Sequence, residues 1–337
     1  MISDNYIISF KYILSLIVLL FFFSCNNVNQ ITISGNTMGT TYTVKINSNS
    51  DINRELIQSK INNILDRLNM IFSTYIITSG INKINYSSKL NHIISDTLYY
   101  VLNKSLYYSK ISNGYYDPTV FPLVDLWGFG PTRKSTKPHE NLIELTKKYV
   151  SYKNLSLDDK NNLFKQSANT FIDLSSLVKG YAVDVLSDYL YSLEIDDFMV
   201  DIGGELKCRG QNNRSDWIIG IINPTNNEIF VKTKINDQSI ATSGTYNNFS
   251  TYDGVEYSHI INPKTGYPIV NPILSSTVIA DKCIDADALA TMLMVLSPHE
   301  GLKIINSINN VECLIIIEDD DGITRITSNG FKKFIVN

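Results

Sequence analysis

The feature that most constrains this chain is a change in its hydrophobic period with no linker between the two regimes. In its first part, apolar residues recur at helical spacing. Leu56, Ile57, Ile61, Ile64, Leu65 and Leu68 mark a helix over Ile52 to Phe72. Leu98, Val101, Leu102, Leu106 and Tyr107 mark another over Asp96 to Ile111, which Asn113-Gly114 ends, because glycine takes the left-handed C-cap conformation easily. A short helix is expected over Leu142 to Val150, a helix over Ser176 to Leu193, and short strands from Leu155 to Ile172. From Phe198 to Val278 the pattern turns mainly to strands: Phe198–Ile202, Trp217–Ile222, Ile229–Ile235, Ser239–Thr242 and Tyr257–Ile261. Asp285 to Leu296 reads as a helix, followed by a strand over Cys313–Ile317 and a hairpin turn at Asp321-Gly322. Gln30 to Asn47 alternates in strand fashion at the other end. No fixed-period repeat and no Pro/Ser-rich linker interrupts this order, so one α+β domain over 31–337 is expected, with packed helices and an antiparallel-rich sheet.

Composition excludes some partners. The net charge is −4 and no basic stripe appears, so nucleic acid has no electrostatic footprint here. The start of the chain points elsewhere. Ile13 to Phe23 is almost purely apolar, too short for a membrane-spanning helix, which needs about 20 residues. Its length suits a signal-peptide core. Ser24-Cys25 follows directly, as in a bacterial lipobox, so 1–24 is expected to be a signal peptide, Cys25 a lipidation site and 25–30 a tether. Cys208, Cys283 and Cys313 remain, an odd number at scattered spacings that suggests buried thiols rather than zinc or a disulfide scaffold.

Several segments concentrate residues of functional type. Thr37-Met38-Gly39-Thr40-Thr41-Tyr42 sets glycine at a strand entry, where backbone can approach a ligand or simply turn. Tyr75, in Ser73-Thr74-Tyr75 at the end of a long helix, can stack on a flat ligand or cover the core. Gly114-Tyr115-Tyr116-Asp117-Pro118-Thr119, continuing to Leu126-Trp127-Gly128-Phe129-Gly130-Pro131, is a rigid aromatic loop, either a planar-ligand surface or a capped turn. Asp117 can accept from a heterocycle N–H. Asp173 precedes the helix that carries Lys179, so an anion site and an ordinary capped helix are both open. The P-loop spacing is absent.

Asp287 and Thr291, in Asp285-Ala286-Asp287-Ala288-Leu289-Ala290-Thr291, are four apart and share a helix face. A carboxylate and a hydroxyl so placed suit a hard cation such as Mg²⁺. His259 stands on a strand just before Asn262-Pro263-Lys264-Thr265-Gly266, a good place to expose a general base, although a lone histidine is more often structural. Asp201-Ile202-Gly203-Gly204-Glu205 and Ala241-Thr242-Ser243-Gly244-Thr245-Tyr246 set glycines among polar groups at strand ends, as a ligand wall would.

Taken in this order, from Thr37 to the end, these segments resemble the ApbE family, the FAD:protein FMN transferases. The resemblance implies an α+β fold and Mg²⁺-dependent transfer of FMN from FAD to a threonine hydroxyl, with release of AMP. It implies that Met38, Tyr75, Tyr115, Tyr116, Asp117, Asp173, Lys179 and Ile261 line the FAD site. It further implies that Ser176, Asp287, Ala290 and Thr291 hold the metal, Ser176 and Ala290 through backbone oxygens, and that His259 is the base, with Asp287 also catalytic. Ser175 and Ser176 stand where the family commonly has Gly or Ala, Val178 replaces a usual Ala, and Asn262 an Asp. By the same resemblance the acceptors are flavoprotein subunits of Na⁺-translocating NADH:quinone reductase or related redox complexes, and the enzyme is exported and lipid-anchored on the periplasmic side of the bacterial inner membrane. Two other readings use the same site: an Mg²⁺-dependent FAD pyrophosphatase, and a non-catalytic FAD-binding lipoprotein.

Overall fold

The computed structural model describes residues 29–48, 50–245, 249–320 and 322–336. Its frame is an eight-stranded sheet whose strands lie side by side in chain order, each neighbouring pair antiparallel. The helices are insertions between those strands.

β1 (Asn29–Thr37) and β2 (Thr40–Ser48) form a hairpin. The alternating stretch turns at Met38-Gly39, where both residues have positive φ, 50° and 76°. That is the twist a two-residue hairpin turn requires. α1 (Arg54–Phe72) follows, capped by the Asn53 side chain, which accepts from Leu56 N–H. It buries Ile57, Ile61, Ile64, Leu65 and Leu68 as its spacing predicts, but Leu56 is left exposed. α2 (Asp96–Ile111) buries Leu98, Val101 and Leu102; Ser105 and Tyr108, not Tyr107, complete its inner face. After α3 (Ser175–Ser192), β3 (Phe198–Ile202) and β4 (Glu205–Arg209) turn at Gly203-Gly204. β5 (Gln238–Gly244), β6 (Ile273–Ala280), α4 (Cys283–Val295), β7 (Glu312–Asp319) and β8 (Gly322–Thr327) complete the frame.

Strand alternation divides the sheet into two covered faces. Val44, Val200, Ala241, Val278 and Ile315 lie under α1 to α4 in the larger core. Met199, Cys208, Ile240, Ile279 and Leu314 face the other way, against the strands Trp217–Ile222 and Ile229–Ile235 and against Phe331 and Phe334. A third, aromatic core gathers Leu123, Leu126, Trp127, Ile143, Tyr252 and Ile261 beside the sheet.

β6 falls in the stretch read as mainly strand; its centre is polar, Ser275, Ser276 and Thr277, yet all three are buried. Three elements differ from the expectation. The aromatic loop contains a short helix, Phe121–Leu126, opened by Pro122 in its first turn. Pro298–Ile305 is a further helix, capped by Ser297. The strand before His259 ends at Ser258, and Ile261 makes only an isolated bridge with Pro268. The three thiols are free and buried, as expected. Cys25 and the apolar run before it lie outside the described residues, among which no helix is long and apolar enough to cross a membrane.

Candidate active site

The site starts from a close helix crossing. A Cβ on Gly180 would lie 2.3 Å from the Cys283 carbonyl oxygen and 2.8 Å from the Asp287 Cβ. Only glycine lets α3 and α4 approach that far. The contact delivers the Gly180 N–H to Asp287 Oδ2 at 2.9 Å. From the sheet side, alternation along β4 turns Leu206 and Cys208 into the second core and Glu205 toward the helices.

Lys179, Glu205 and Asp287 therefore meet at the floor of a cleft of about 550 Å³. Lys179 Nζ pairs with Glu205 Oε1 at 2.5 Å. Burial holds the carboxyls of Asp287 and Glu205 above the usual range, while the charge of Lys179 pulls both back. Burial alone would lower Lys179, but Asp287 and Glu205 outweigh it and keep the ammonium charged. Thr291, one turn beyond Asp287, has its hydroxyl 3.2 Å from Ser243 Oγ of β5. These oxygens are hard donors suited to a small divalent cation that keeps several waters. No group of three or more His, Cys, Asp or Glu side chains forms a metal cluster among the described residues. A site here would lean on hydroxyl and carbonyl oxygens and on substrate phosphates.

The upper walls are aromatic. Tyr75 is 61% exposed at the rim, its hydroxyl donating to the Phe129 carbonyl at 3.0 Å. Tyr115 carries the Lys264 ammonium 3.7 Å from its ring centroid. Tyr116 is buried, its hydroxyl 2.7 Å from Ser176 Oγ. The Ser176 hydroxyl thus satisfies a buried phenol. His259 lines the same space, its ring edge-on to Phe129 at 6.2 Å. The loop after His259 is braced from below: Trp127 Nε1–H donates to the Gly266 carbonyl at 2.9 Å, and Tyr252 Oη–H to the Trp127 carbonyl at 2.8 Å.

Eleven of the residues singled out in the sequence line this one cleft: Tyr75, Tyr115, Tyr116, Asp117, Asp173, Ser176, Lys179, His259, Ile261, Asp287 and Thr291. Asp117 spends one oxygen on its own loop, accepting from Thr119 N–H and Oγ1–H, and the other on Tyr152 N–H. Asp173 accepts from Ser175 N–H at 2.8 Å, with burial raising its pKa. Met38 and Ala290 are not on the cleft surface. Met38 occupies the β1–β2 turn, and the Ala290 carbonyl accepts from Ser276 Oγ–H at 2.7 Å. Asp285, next to the floor in sequence, points away to Lys104 and Tyr108, at 2.8 and 2.6 Å. Glu205 enters the sequence reading only as the end of a glycine-bearing strand-end segment, with no role of its own. Its signal was a charged side chain opening a strand directly after paired glycines.

Aromatic walls above two buried acids and a charged lysine make this an enzyme's cleft, shaped for a flat, anionic substrate. The sequence model of the ApbE family matches residues 38–315, and the chain belongs to that family. It is 36% identical over 332 residues to the FAD:protein FMN transferase of Vibrio cholerae, covering 96% of this chain and 99% of that protein. To the Haemophilus influenzae protein of the same name it is 35% identical over 315 residues, covering 90% and 91%. The solved flavin transferase ApbE from Vibrio cholerae matches with a TM-score of 0.85 at 35% identity, over 91% of this chain and 99% of that one. The apo flavinyl transferase ApbE of Pseudomonas stutzeri matches at 0.83 and 30% identity, over 91% and 97%.

Proposed function

We propose that this chain transfers FMN from FAD to a threonine hydroxyl of an acceptor protein, with Mg²⁺ as cofactor, and releases AMP. The observation that carries the reading is Lys179 held beside two buried carboxylates at the floor of an aromatic cleft. Flavin and adenine rings suit the aromatic walls, and a pyrophosphate suits the floor. The naming of its relatives as FAD:protein FMN transferases supports the same chemistry.

In the transfer, a bond forms between the threonine oxygen and the FMN phosphorus, and the bond from that phosphorus to the oxygen of the AMP phosphate breaks. His259 takes the hydroxyl proton, a contribution on the order of 10²–10⁴-fold. Lys179 meets the charge that moves onto the departing phosphate. Asp287, the Thr291 hydroxyl and the carbonyls of Ser176 and Ala290 would hold Mg²⁺; the Ala290 carbonyl keeps one lone pair beyond its bond to Ser276. When bound, the ion supplies Lewis-acid neutralisation of the pyrophosphate. Aromatic cover excludes water, which favours transfer over hydrolysis.

Export and lipidation at Cys25 would set the enzyme on the periplasmic side of the inner membrane, where subunits of Na⁺-translocating NADH:quinone reductase or related redox complexes are the proposed acceptors. The apolar run and Cys25 support this part. The test combines full-length chain in detergent, FAD, Mg²⁺ and a threonine-bearing acceptor domain. In-gel flavin fluorescence on the acceptor together with AMP, both lost in Asp287→Ala and on chelation, is the expected result. AMP without labelled acceptor would mark a pyrophosphatase. Bound, uncleaved FAD would leave only a flavin-binding protein.

A further inference from the structure

One relationship at the cleft floor is maintained by the fold at a cost. Glu205 is 2% exposed, and its Oε2 has no hydrogen-bond partner among the described residues. A buried carboxylate oxygen left unsatisfied is destabilising. Its other oxygen holds the Lys179 ammonium at 2.5 Å. Asp287, the other carboxylate whose charge acts on Lys179, makes no ion pair with it. Asp287 instead spends Oδ2 on Gly180 N–H.

We propose that Glu205 is a positioning residue that pairs Lys179 in preference to Asp287 and so keeps the second Asp287 oxygen, Oδ1, open to a divalent cation. The inference rests on the metal reading given above. Lysine has a flexible four-carbon stem and a point charge. With Glu205 removed, the remaining carboxylate within its influence is Asp287. An ammonium settled there occupies the lone pair the cation needs and repels the cation itself. With Glu205 present, one of the two negative charges is matched by lysine and one remains for the metal. The three groups come from three elements, α3, β4 and α4, so the arrangement is set by tertiary packing and not by local sequence.

The experiment measures Mg²⁺ affinity of the full-length chain in detergent by titration calorimetry, without FAD, with Mn²⁺ electron paramagnetic resonance as a second readout. Glu205→Ala should weaken Mg²⁺ binding by about tenfold or more, the effect of a competing cation at contact distance. Adding Lys179→Met to that variant should restore affinity to within about twofold of Lys179→Met alone, since the competitor is gone. A role for Glu205 in structure alone predicts the opposite, a double variant no better than Glu205→Ala. Glu205→Gln keeps the shape and a hydrogen bond to Lys179 but gives up the charge. It should weaken binding by a smaller factor, and it carries the test if Glu205→Ala does not fold. Wild-type affinity in both Glu205 variants, or no recovery in the double variant, overturns the proposal. An unsubstituted chain that binds no Mg²⁺ overturns the metal reading and this inference together.

Discussion

The backbone N–H of Gly180 donates to Asp287 Oδ2 at 2.9 Å, so the carboxylate at the floor of the cleft is oriented by the helix packed against its own. In an ordinary helix, Gly→Ala gains about 1 kcal/mol. Here the added methyl would sit 2.3 Å from the Cys283 carbonyl. Overpacking of that kind costs about 1–3 kcal/mol. Gly180→Ala is expected to lower the unfolding midpoint and to reduce flavin transfer disproportionately. Denaturant titration beside a transfer assay checks this, and a stabilised, fully active variant would contradict it.

A second carboxylate spans the same helix pair. Asp184 of α3 accepts from the N–H groups of Cys283 and Ile284 at 2.9 and 3.0 Å, serving the first turn of α4. Burial pushes its carboxyl up from 3.8 to about 6, against the pull of those two N–H groups. A raised folded-state value means that the folded chain holds the proton more tightly than the unfolded one. Its contribution is therefore greatest below about pH 4, declines as pH rises to about 6, and is level above that. The decline amounts to about 3 kcal/mol at most. Unfolding free energies from pH 4 to 7 should show this slope in the wild type and a flatter one in Asp184→Asn.

Trp127 never touches the floor but holds the loop that follows His259. Trp127→Phe keeps the aromatic packing and leaves the Gly266 carbonyl without its donor, a loss of about 1 kcal/mol. The expected signature is a severalfold fall in kcat with little change in KM for FAD. A change confined to KM would mean that the loop positions substrate and not His259.

Tyr75 should behave in the reverse way. It is mostly exposed, and its hydroxyl donates to a carbonyl at the rim. Tyr75→Ala is expected to leave stability within about 0.5 kcal/mol. Loss of a stacking face should raise KM for FAD by about fivefold to tenfold. Parallel thermal melts and steady-state kinetics separate the two effects.

Much of this molecule is legible in its residues, for reasons that can be named. α1 and α2 announce themselves because one face of each is buried and the other is wet. The burial of β6 does not, because small hydroxyl residues fill its centre and find their place only once the neighbouring strands and α4 are assembled. Asp287 and Thr291 are readable as a pair because they are four apart on one helix. Glu205 is not, since nothing along the chain says that a strand residue will meet a lysine 26 positions earlier and an aspartate 82 positions later. The glycine at Met38-Gly39 marks a strand entry in sequence, but the hairpin it closes does not show, because a two-residue turn preserves the period on both sides.

The burial of Cys208, Cys283 and Cys313 turns the chain into its own counting device. With four cysteines in the sequence, an unfolded chain exposes four thiols to a colorimetric reagent if Cys25 is bare, and three if its sulfur is taken up in a thioether to lipid. In the folded chain the three buried thiols fall silent, so any rapid reaction belongs to Cys25 alone. Whether the anchor has been attached can therefore be read from a stoichiometry, with no membrane in the tube.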